Sequence, residues 1–244
     1  MEPPRVTTGT TGRARPVIVD SHVHLYPASE QHTLAWMTPR HGLRGQHSMD
    51  EYTAAAAAGA VAGLVFVEAD RATTHGSHDS HDAWASVLAE VAFARRLADG
   101  SPRAGEGHTA AQRRLPWGVV PWAPVDGGAQ ALRRWTAQAR EAAGEPCWPR
   151  VCGFRQLAQQ RPRGLVLRDG FVDGLRWLGR EGYTFDLGID CHRDGLDWLD
   201  DAVEMVGRAH EGVPDEEKVT IIVGEACSLS ASRGNLDLSP PAPA

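Results

Sequence analysis

Two histidines one residue apart, His22 and His24, have the types and spacing best suited to catalysis. They follow the apolar run 17–19, which predicts a buried strand. Because side chains alternate along a strand, both rings point to the same side at its carboxyl end. Two imidazoles placed in this way can bind one divalent ion. Barrel enzymes place their catalytic groups at this end of the strands.

Three further side chains end predicted strands. Arg155 could pair with a substrate carboxylate or a polarised carbonyl, or it could form a structural ion pair. Glu68 is a second candidate for substrate binding, although a solvated or ion-paired carboxylate is the usual role of a glutamate. Trp122 is a candidate for stacking against substrate, whereas tryptophans beside such elements, Trp117 among them, usually belong to the core.

Apolar runs and helical segments alternate along the chain. The predicted strands are 17–19, 63–67, 118–122, 151–154, 184–189 and 219–223, and the predicted helices are 49–60, 82–97, 130–143, 170–180 and 196–210. This alternation indicates an α/β protein with parallel strands, either an open sheet or a closed barrel. A (β/α)8 barrel of the TIM type needs eight strands, so about six βα units predict an incomplete barrel.

The segment Asp20–Tyr26 (DSHVHLY) resembles the opening motif of the amidohydrolase-related family, whose members are (β/α)8 barrels. The segment Gly153–Leu157 is similar to a Gly-X-Arg segment of its sugar-lactonase branch, and Tyr183–Leu187 is similar to the fifth-strand segment. The resemblance covers residues 17–223 in matching order. It implies a hydrolase that opens a lactone or a similar cyclic ester of a small-molecule substrate.

The resemblance also implies a set of site residues. His22 and His24 would hold a divalent metal ion, with zinc expected, although some lactonases of this branch work without a tightly held metal. His192 follows the fifth run and suits a third metal ligand or a catalytic contact to substrate; a plain loop histidine at a helix entrance is the alternative. Arg155 would fix the substrate.

Two polar residues of the family are missing from this sequence. The family has a histidine after strand six and an aspartate after strand eight, whereas here Val223 is followed by Gly224 and Glu225. The composition then changes abruptly, which predicts a disordered, non-family tail over 224–244 and a truncated barrel domain over 17–223. A non-catalytic truncated form and a decarboxylase of the same superfamily are therefore alternatives to an active hydrolase.

Composition excludes several classes of function. The 31 acidic and 25 basic residues are interspersed, with a net charge of −6, so neither nucleic-acid nor membrane binding is predicted. Four cysteines without metal-ligand spacing fit a reducing compartment, and we expect a cytoplasmic protein of undetermined oligomeric state. Residues 1–16 are expected to be a disordered tail, and 100–114 a surface loop. A histidine-rich segment, 75–82, is expected to be a solvated loop rather than a second metal site.

Overall fold

A computed structural model describes residues 17–56, 61–73, 81–159, 161–190 and 195–224. All six predicted strands form, close to their expected positions. They are β1 (Ile18–Val23), β2 (Val61–Val67), β3 (Pro116–Val120), β4 (Gly153–Arg155), β5 (Thr184–Leu187) and β6 (Ile221–Val223). The five predicted helices form as well, as α1 (Met49–Ala55), α2 (Ala85–Asp99), α3 (Gly128–Cys147), α4 (Asp169–Arg180) and α5 (Asp197–His210).

The strands form two three-stranded sheets, in the orders β1-β2-β3 and β4-β5-β6. Pairing is parallel between β1 and β2, between β2 and β3, and between β5 and β6. The predicted α/β class with parallel strands is therefore confirmed. Over the described ranges, however, the strands do not close into a barrel. One parallel bridge, from Val119 to Val151, extends the pairing beyond β3.

The chain divides into two compact units. The first comprises residues 1–123 and 133–154, and its core contains Leu64 and Phe66 of β2 packed with Phe93 of α2. The ring centroids of Phe66 and Phe93 lie 6.4 Å apart, edge to face. This aromatic contact fixes α2 against the sheet that carries both histidines.

The second unit comprises residues 124–132 and 155–244. Its core contains Phe171 of α4 and Phe185 of β5, whose ring centroids lie 5.6 Å apart, together with Met205 of α5. Arg176 of α4 closes the end of α5 by donating to the carbonyl oxygens of Arg208, at 2.7 Å, and Ala209, at 3.3 Å. Carbonyl groups in the last turn of a helix need such partners from outside the helix.

Local sequence explains where α1 begins and where α2 ends. The backbone N–H of Ser48 donates to the Glu51 carboxylate at 2.9 Å, which satisfies a donor at the start of α1. The carboxyl end of α2 lies at Gly100, whose φ of 71° is left-handed. Glycine adopts this conformation without the steric penalty of a Cβ atom. Both boundaries therefore follow from single residues beside the helix.

Two expectations about burial are wrong. The first predicted strand is not buried on both faces, because Ile18 and Val19 are 45% and 44% exposed. β1 lies at the edge of its sheet and is covered less than the central strand. Trp117 is 54% exposed although it was expected in the core. Its ring lies over Gly63 of the neighbouring strand, where a Cβ atom would come within 2.3 Å of it.

The predicted surface loop over 100–114 is also partly wrong. Its end forms a short 3-10 helix, Ala110–Arg114. Two of its polar residues, Glu106 and His108, are buried because they pack against α2, where Arg96 pairs with Glu106 at 2.6 Å and Phe93 contacts the ring of His108. The predicted tail 1–16, the predicted tail 224–244 after its first residue, and most of the histidine-rich segment lie outside the described residues.

No helix in the described part of the chain is long and apolar enough to cross a membrane.

Candidate active site

The rings of His22 and His24 lie together at the carboxyl end of β1, as their spacing predicts. Their centroids are 4.9 Å apart and their planes meet at 80°. Both side chains are partly exposed, while Val23 between them is buried. Strand alternation therefore turns the two imidazoles to one side, at a separation that allows both to bind one ion.

A hydrogen bond selects the tautomer of His24. Its Nδ1 lies 3.1 Å from the carbonyl oxygen of Val67, at the end of β2. Because a carbonyl oxygen only accepts, Nδ1 must carry the proton, and Nε2 then carries the lone pair. Histidines that bind metal commonly have their other nitrogen held in this way. His24 thus has the form that a metal ligand needs.

The Asp20 carboxylate bonds both the backbone of His22 and the side chain of Tyr52. The backbone N–H of His22 donates to Asp20 Oδ1 at 3.3 Å, and the Tyr52 hydroxyl donates to Asp20 Oδ2 at 3.1 Å. Desolvation, followed by the hydrogen bond and the charge of Asp20, raises the pKa of Tyr52 to about 12. Tyr52 therefore stays a neutral donor at physiological pH and ties α1 to the strand that carries the histidines.

Glu68 follows β2 directly and is only 1% exposed. Its Oε2 accepts the backbone N–H of Asp70 at 2.7 Å, and its own N–H continues the sheet by donating to Val120 at 3.0 Å. Asp70 has a φ of 54°, which is uncommon for a residue other than glycine. The solvated carboxylate that a glutamate usually provides is therefore not observed. Glu68 is instead buried in a tightly turned segment beside the first sheet.

Glu90 on α2 is a polar residue of this region that the sequence analysis missed. It is 1% exposed, and its Oε1 accepts from the backbone N–H of Ala69 at 3.0 Å and from Arg71 Nε at 3.2 Å. Burial raises the pKa of Glu90, and the charges of Arg71 and His24 oppose that rise. The signal available in sequence was its position in the apolar helical stripe of Val87, Val91 and Ala94.

Trp122 is half-buried beside the end of β3. Its ring centroid lies 6.1 Å from that of the fully buried Trp135, in an edge-to-face contact. Trp135 in turn lies 5.5 Å from Phe154. Trp122 therefore joins an aromatic cluster on one side and keeps part of its surface accessible on the other.

In the second unit, Arg155 and Asp186 form an ion pair. Arg155 Nε lies 3.3 Å from Asp186 Oδ1, with side-chain exposures of 2% and 4%. The backbone of Gly188 passes close to the guanidinium, because a Cβ atom there would lie 2.8 Å from Arg155 Nη2. The two roles considered for Arg155 were a substrate contact and a structural ion pair, and an ion pair is present. Asp186, its partner, was not among the sequence candidates.

Gln156 follows Arg155 and is also held in place. Its amide forms two hydrogen bonds with Asp126, accepting from the backbone N–H at 2.9 Å and donating to Oδ1 at 2.8 Å. Both groups of one side-chain amide are thereby satisfied by one residue. The residue that follows Arg155 is therefore fixed in place.

The third predicted ligand, His192, lies outside the described residues, as does Glu225. Within the ranges that are described, no three histidine, cysteine, aspartate or glutamate side chains are grouped so as to hold a metal ion. The pair His22 and His24 is thus the part of the predicted ligand set that the structure brings together.

No protein-family model matches the chain. Its sequence is 30% identical over 193 residues to L-rhamnono-gamma-lactonase from Scheffersomyces stipitis. The chain is a relative of this lactonase. The predicted resemblance to the lactonase branch is therefore confirmed. The alignment covers 77% of this chain and 56% of the yeast protein, so the chain spans little more than half the length of that relative.

Two solved structures of amidohydrolases resemble the chain more distantly. One, from Burkholderia multivorans and with bound zinc, has a TM-score of 0.49 and 22% identity, covering 78% of this chain and 54% of that one. The other, amidohydrolase 2 from Bifidobacterium longum subsp. infantis, has a TM-score of 0.45 and 18% identity, covering 83% and 66%. Both TM-scores are below 0.5, so the relationship to lactonases depends on the sequence similarity to the Scheffersomyces stipitis protein.

Proposed function

We propose that this protein is a hydrolase that opens a lactone or a similar cyclic ester. One observation carries the proposal: the lactonase relative, at 30% identity, aligns with a chain that has two histidines together at the carboxyl end of β1. Ring opening of a lactone requires a nucleophilic water and a group that stabilises the developing oxyanion. A paired-imidazole site at a strand end suits the first requirement.

His22 and His24 are the residues that would hold a divalent ion, with zinc as the expected metal. The tautomer fixed at His24 by Val67 supports this assignment. A bound divalent ion supplies Lewis acidity and makes hydroxide accessible near neutral pH. Without a bound ion, the imidazoles would instead accept hydrogen bonds from the water and orient it. His192 is proposed as a third ligand or catalytic group on resemblance alone.

Three further residues are proposed to contact the substrate. Arg155 would direct its guanidinium to a carbonyl or carboxylate oxygen, held in orientation by Asp186. Glu68 would accept from a substrate hydroxyl, and the accessible part of Trp122 would cover an apolar sugar face. The six βα units are proposed to be part of a (β/α)8 barrel, whose strand ends carry such groups.

Hydrolysis of L-rhamnono-γ-lactone tests the proposal, with other sugar lactones in parallel and proton release as the readout. We expect turnover by the wild type, loss of at least about a hundred-fold in His22→Ala, and no loss in His32→Ala. His32 is a matched control because it is an exposed histidine of the same unit, bonded only locally to the Ser29 carbonyl in the described structure. Equal activity in the two variants would contradict the assignment.

Three measurements separate the alternatives. A metal-free wild-type protein that unfolds with poor cooperativity and hydrolyses no lactone would favour the non-catalytic alternative. Carbon dioxide release from an aromatic or unsaturated acid would favour the decarboxylase reading. The exposed apolar residues Ile18 and Val19 on the edge of the first sheet are the feature that supports a non-catalytic, partner-dependent chain.

A further inference from the structure

We propose that Glu90 is a positioning residue that fixes the backbone after β2, and with it Glu68, for lactone hydrolysis. The inference rests on the function proposed above. Glu90 would not touch the substrate. It would act through the peptide of Ala69, which lies between the two acidic residues Glu68 and Asp70.

The peptide groups of Ala69 are held from both sides. Glu90 Oε1 accepts the Ala69 N–H at 3.0 Å, and the indole N–H of Trp36 donates to the Ala69 carbonyl at 2.8 Å. The next residue, Asp70, returns its N–H to the Glu68 carboxylate at 2.7 Å. Glu90 and Trp36 therefore hold the peptide groups of Ala69, and the next N–H along the chain, that of Asp70, contacts the Glu68 carboxylate.

Arg71 holds the Glu90 carboxylate in place. Its Nε donates to Glu90 Oε1 at 3.2 Å, and its Nη1 donates to Glu30 Oε2 at 2.6 Å and to Thr33 Oγ1 at 3.3 Å. Arg71 itself follows Asp70 and pairs with Leu34 in an antiparallel bridge. The Glu90 carboxylate is therefore linked to the segment after β2 at two points, the Ala69 N–H and the Arg71 side chain.

The Glu90 carboxylate lies among apolar side chains and has one oxygen that the ion pair with Arg71 does not use. Glu90 belongs to the buried stripe of α2, beside Val87, Val91 and Ala94. Within the described residues, its Oε2 has no hydrogen-bond partner. A buried oxygen without a partner is unfavourable, although the pair with the buried Arg71 also needs the carboxylate, because removal of one partner of a buried pair leaves the other charge desolvated. The hydrogen bond to Ala69 is a function for the carboxylate that an aliphatic side chain could not supply.

The test compares Glu90→Leu, Glu90→Gln and Glu106→Leu. Leucine fills the site but accepts no hydrogen bond, whereas glutamine keeps an acceptor for the Ala69 N–H. Glu106 is a control because it is also a buried glutamate of the same unit and bonds Arg96 and Arg103, but not the segment after β2. We expect Glu90→Leu to lower kcat on a lactone at least about ten-fold with KM changed less than about three-fold, and Glu90→Gln to restore most of kcat.

Amide hydrogen exchange gives a readout that does not need turnover. Exchange at Ala69 and Asp70 should accelerate at least about ten-fold in Glu90→Leu, and change little in Glu90→Gln and in Glu106→Leu. Unchanged exchange at Ala69 in Glu90→Leu would overturn the inference. So would an undiminished kcat in a folded Glu90→Leu protein. If exchange at Ala69 accelerates in Glu90→Leu but the wild type hydrolyses no lactone, the proposed function is overturned. The link between Glu90 and Ala69 then still stands.

Trp36→Phe provides a second variant if Glu90→Leu does not fold. It removes the indole N–H that donates to the Ala69 carbonyl and keeps a smaller aromatic ring near Tyr26, whose ring lies 5.9 Å from that of Trp36. We expect faster exchange at Asp70 and a fall of kcat in the same direction as for Glu90→Leu. A Trp36→Phe protein with wild-type kcat and wild-type exchange would contradict the positioning of this segment.

Discussion

Arg155 Nε lies 3.3 Å from Asp186 Oδ1, and both side chains are almost completely buried. Removal of one partner of a buried ion pair leaves the other charge desolvated, which is far more unfavourable than loss of an exposed pair. Asp186→Ala should therefore lower the free energy of unfolding by about 3 kcal/mol or more, measured by urea denaturation. The pair thus has a structural effect whatever Arg155 binds.

Asp197→Ala is the control for this variant. Asp197 pairs with Arg163 at 2.7 Å in the same unit, but the side chains are 67% and 53% exposed. Exposed pairs contribute at most about 1 kcal/mol, so Asp197→Ala should change the unfolding midpoint little. If the two aspartate variants were equally stable, burial of the Arg155 pair would not matter to the fold.

Gly188 should not tolerate a methyl group. An added Cβ would lie 2.6 Å from Leu157 Cδ2 and 2.8 Å from Arg155 Nη2. Because such overpacking costs about 1–3 kcal/mol, Gly188→Ala should unfold at lower urea concentration. Gly207→Ala is the opposite case: that glycine lies inside α5 with nothing within 4 Å of its added Cβ, so alanine should stabilise the helix by about 1 kcal/mol. An equal change in the urea midpoint of unfolding in the two variants would show that Gly188 is not closely packed.

The strands and the histidine pair could be predicted because they depend on local sequence. Short apolar runs specify buried strands, and strand alternation alone brings His22 and His24 to the same side. Exposure of Ile18 and Val19 could not be predicted in the same way. Burial of a strand depends on what lies next to it in space, and β1 is an edge of its sheet.

Glu90 and Glu106 were missed for a different physical reason. Glutamate is usually solvated, so sequence alone places it on the surface unless a partner is known. Their partners Arg71 and Arg96 are themselves buried, and each pair becomes favourable only after α2 packs on the first sheet. The candidate site could therefore be predicted at the strand ends, whereas the charged groups behind it required the tertiary structure.

Divalent metal should stabilise the first unit through the two histidines. A ligand that binds only the folded state at about a hundred times its Kd adds about 2.7 kcal/mol. We expect zinc to raise the Tm of the wild type, and of His32→Ala, at pH 7. His24→Ala should lose this shift, because it removes the imidazole whose tautomer is fixed by Val67. A zinc-dependent shift that persists in His24→Ala would place the metal elsewhere.

Tyr52 should make stability depend on alkaline pH. Its pKa is raised to about 12 in the folded chain, whereas an unfolded tyrosine ionises at its ordinary value of 10.0. A raised pKa means that the neutral form favours folding, so the contribution is complete below pH 10 and is lost as pH rises towards 12. Between these values the free energy of unfolding should fall more steeply with pH in the wild type than in Tyr52→Phe, as measured by urea denaturation. Parallel curves for the two proteins would mean that neither Asp20 nor burial raises the pKa of the Tyr52 hydroxyl.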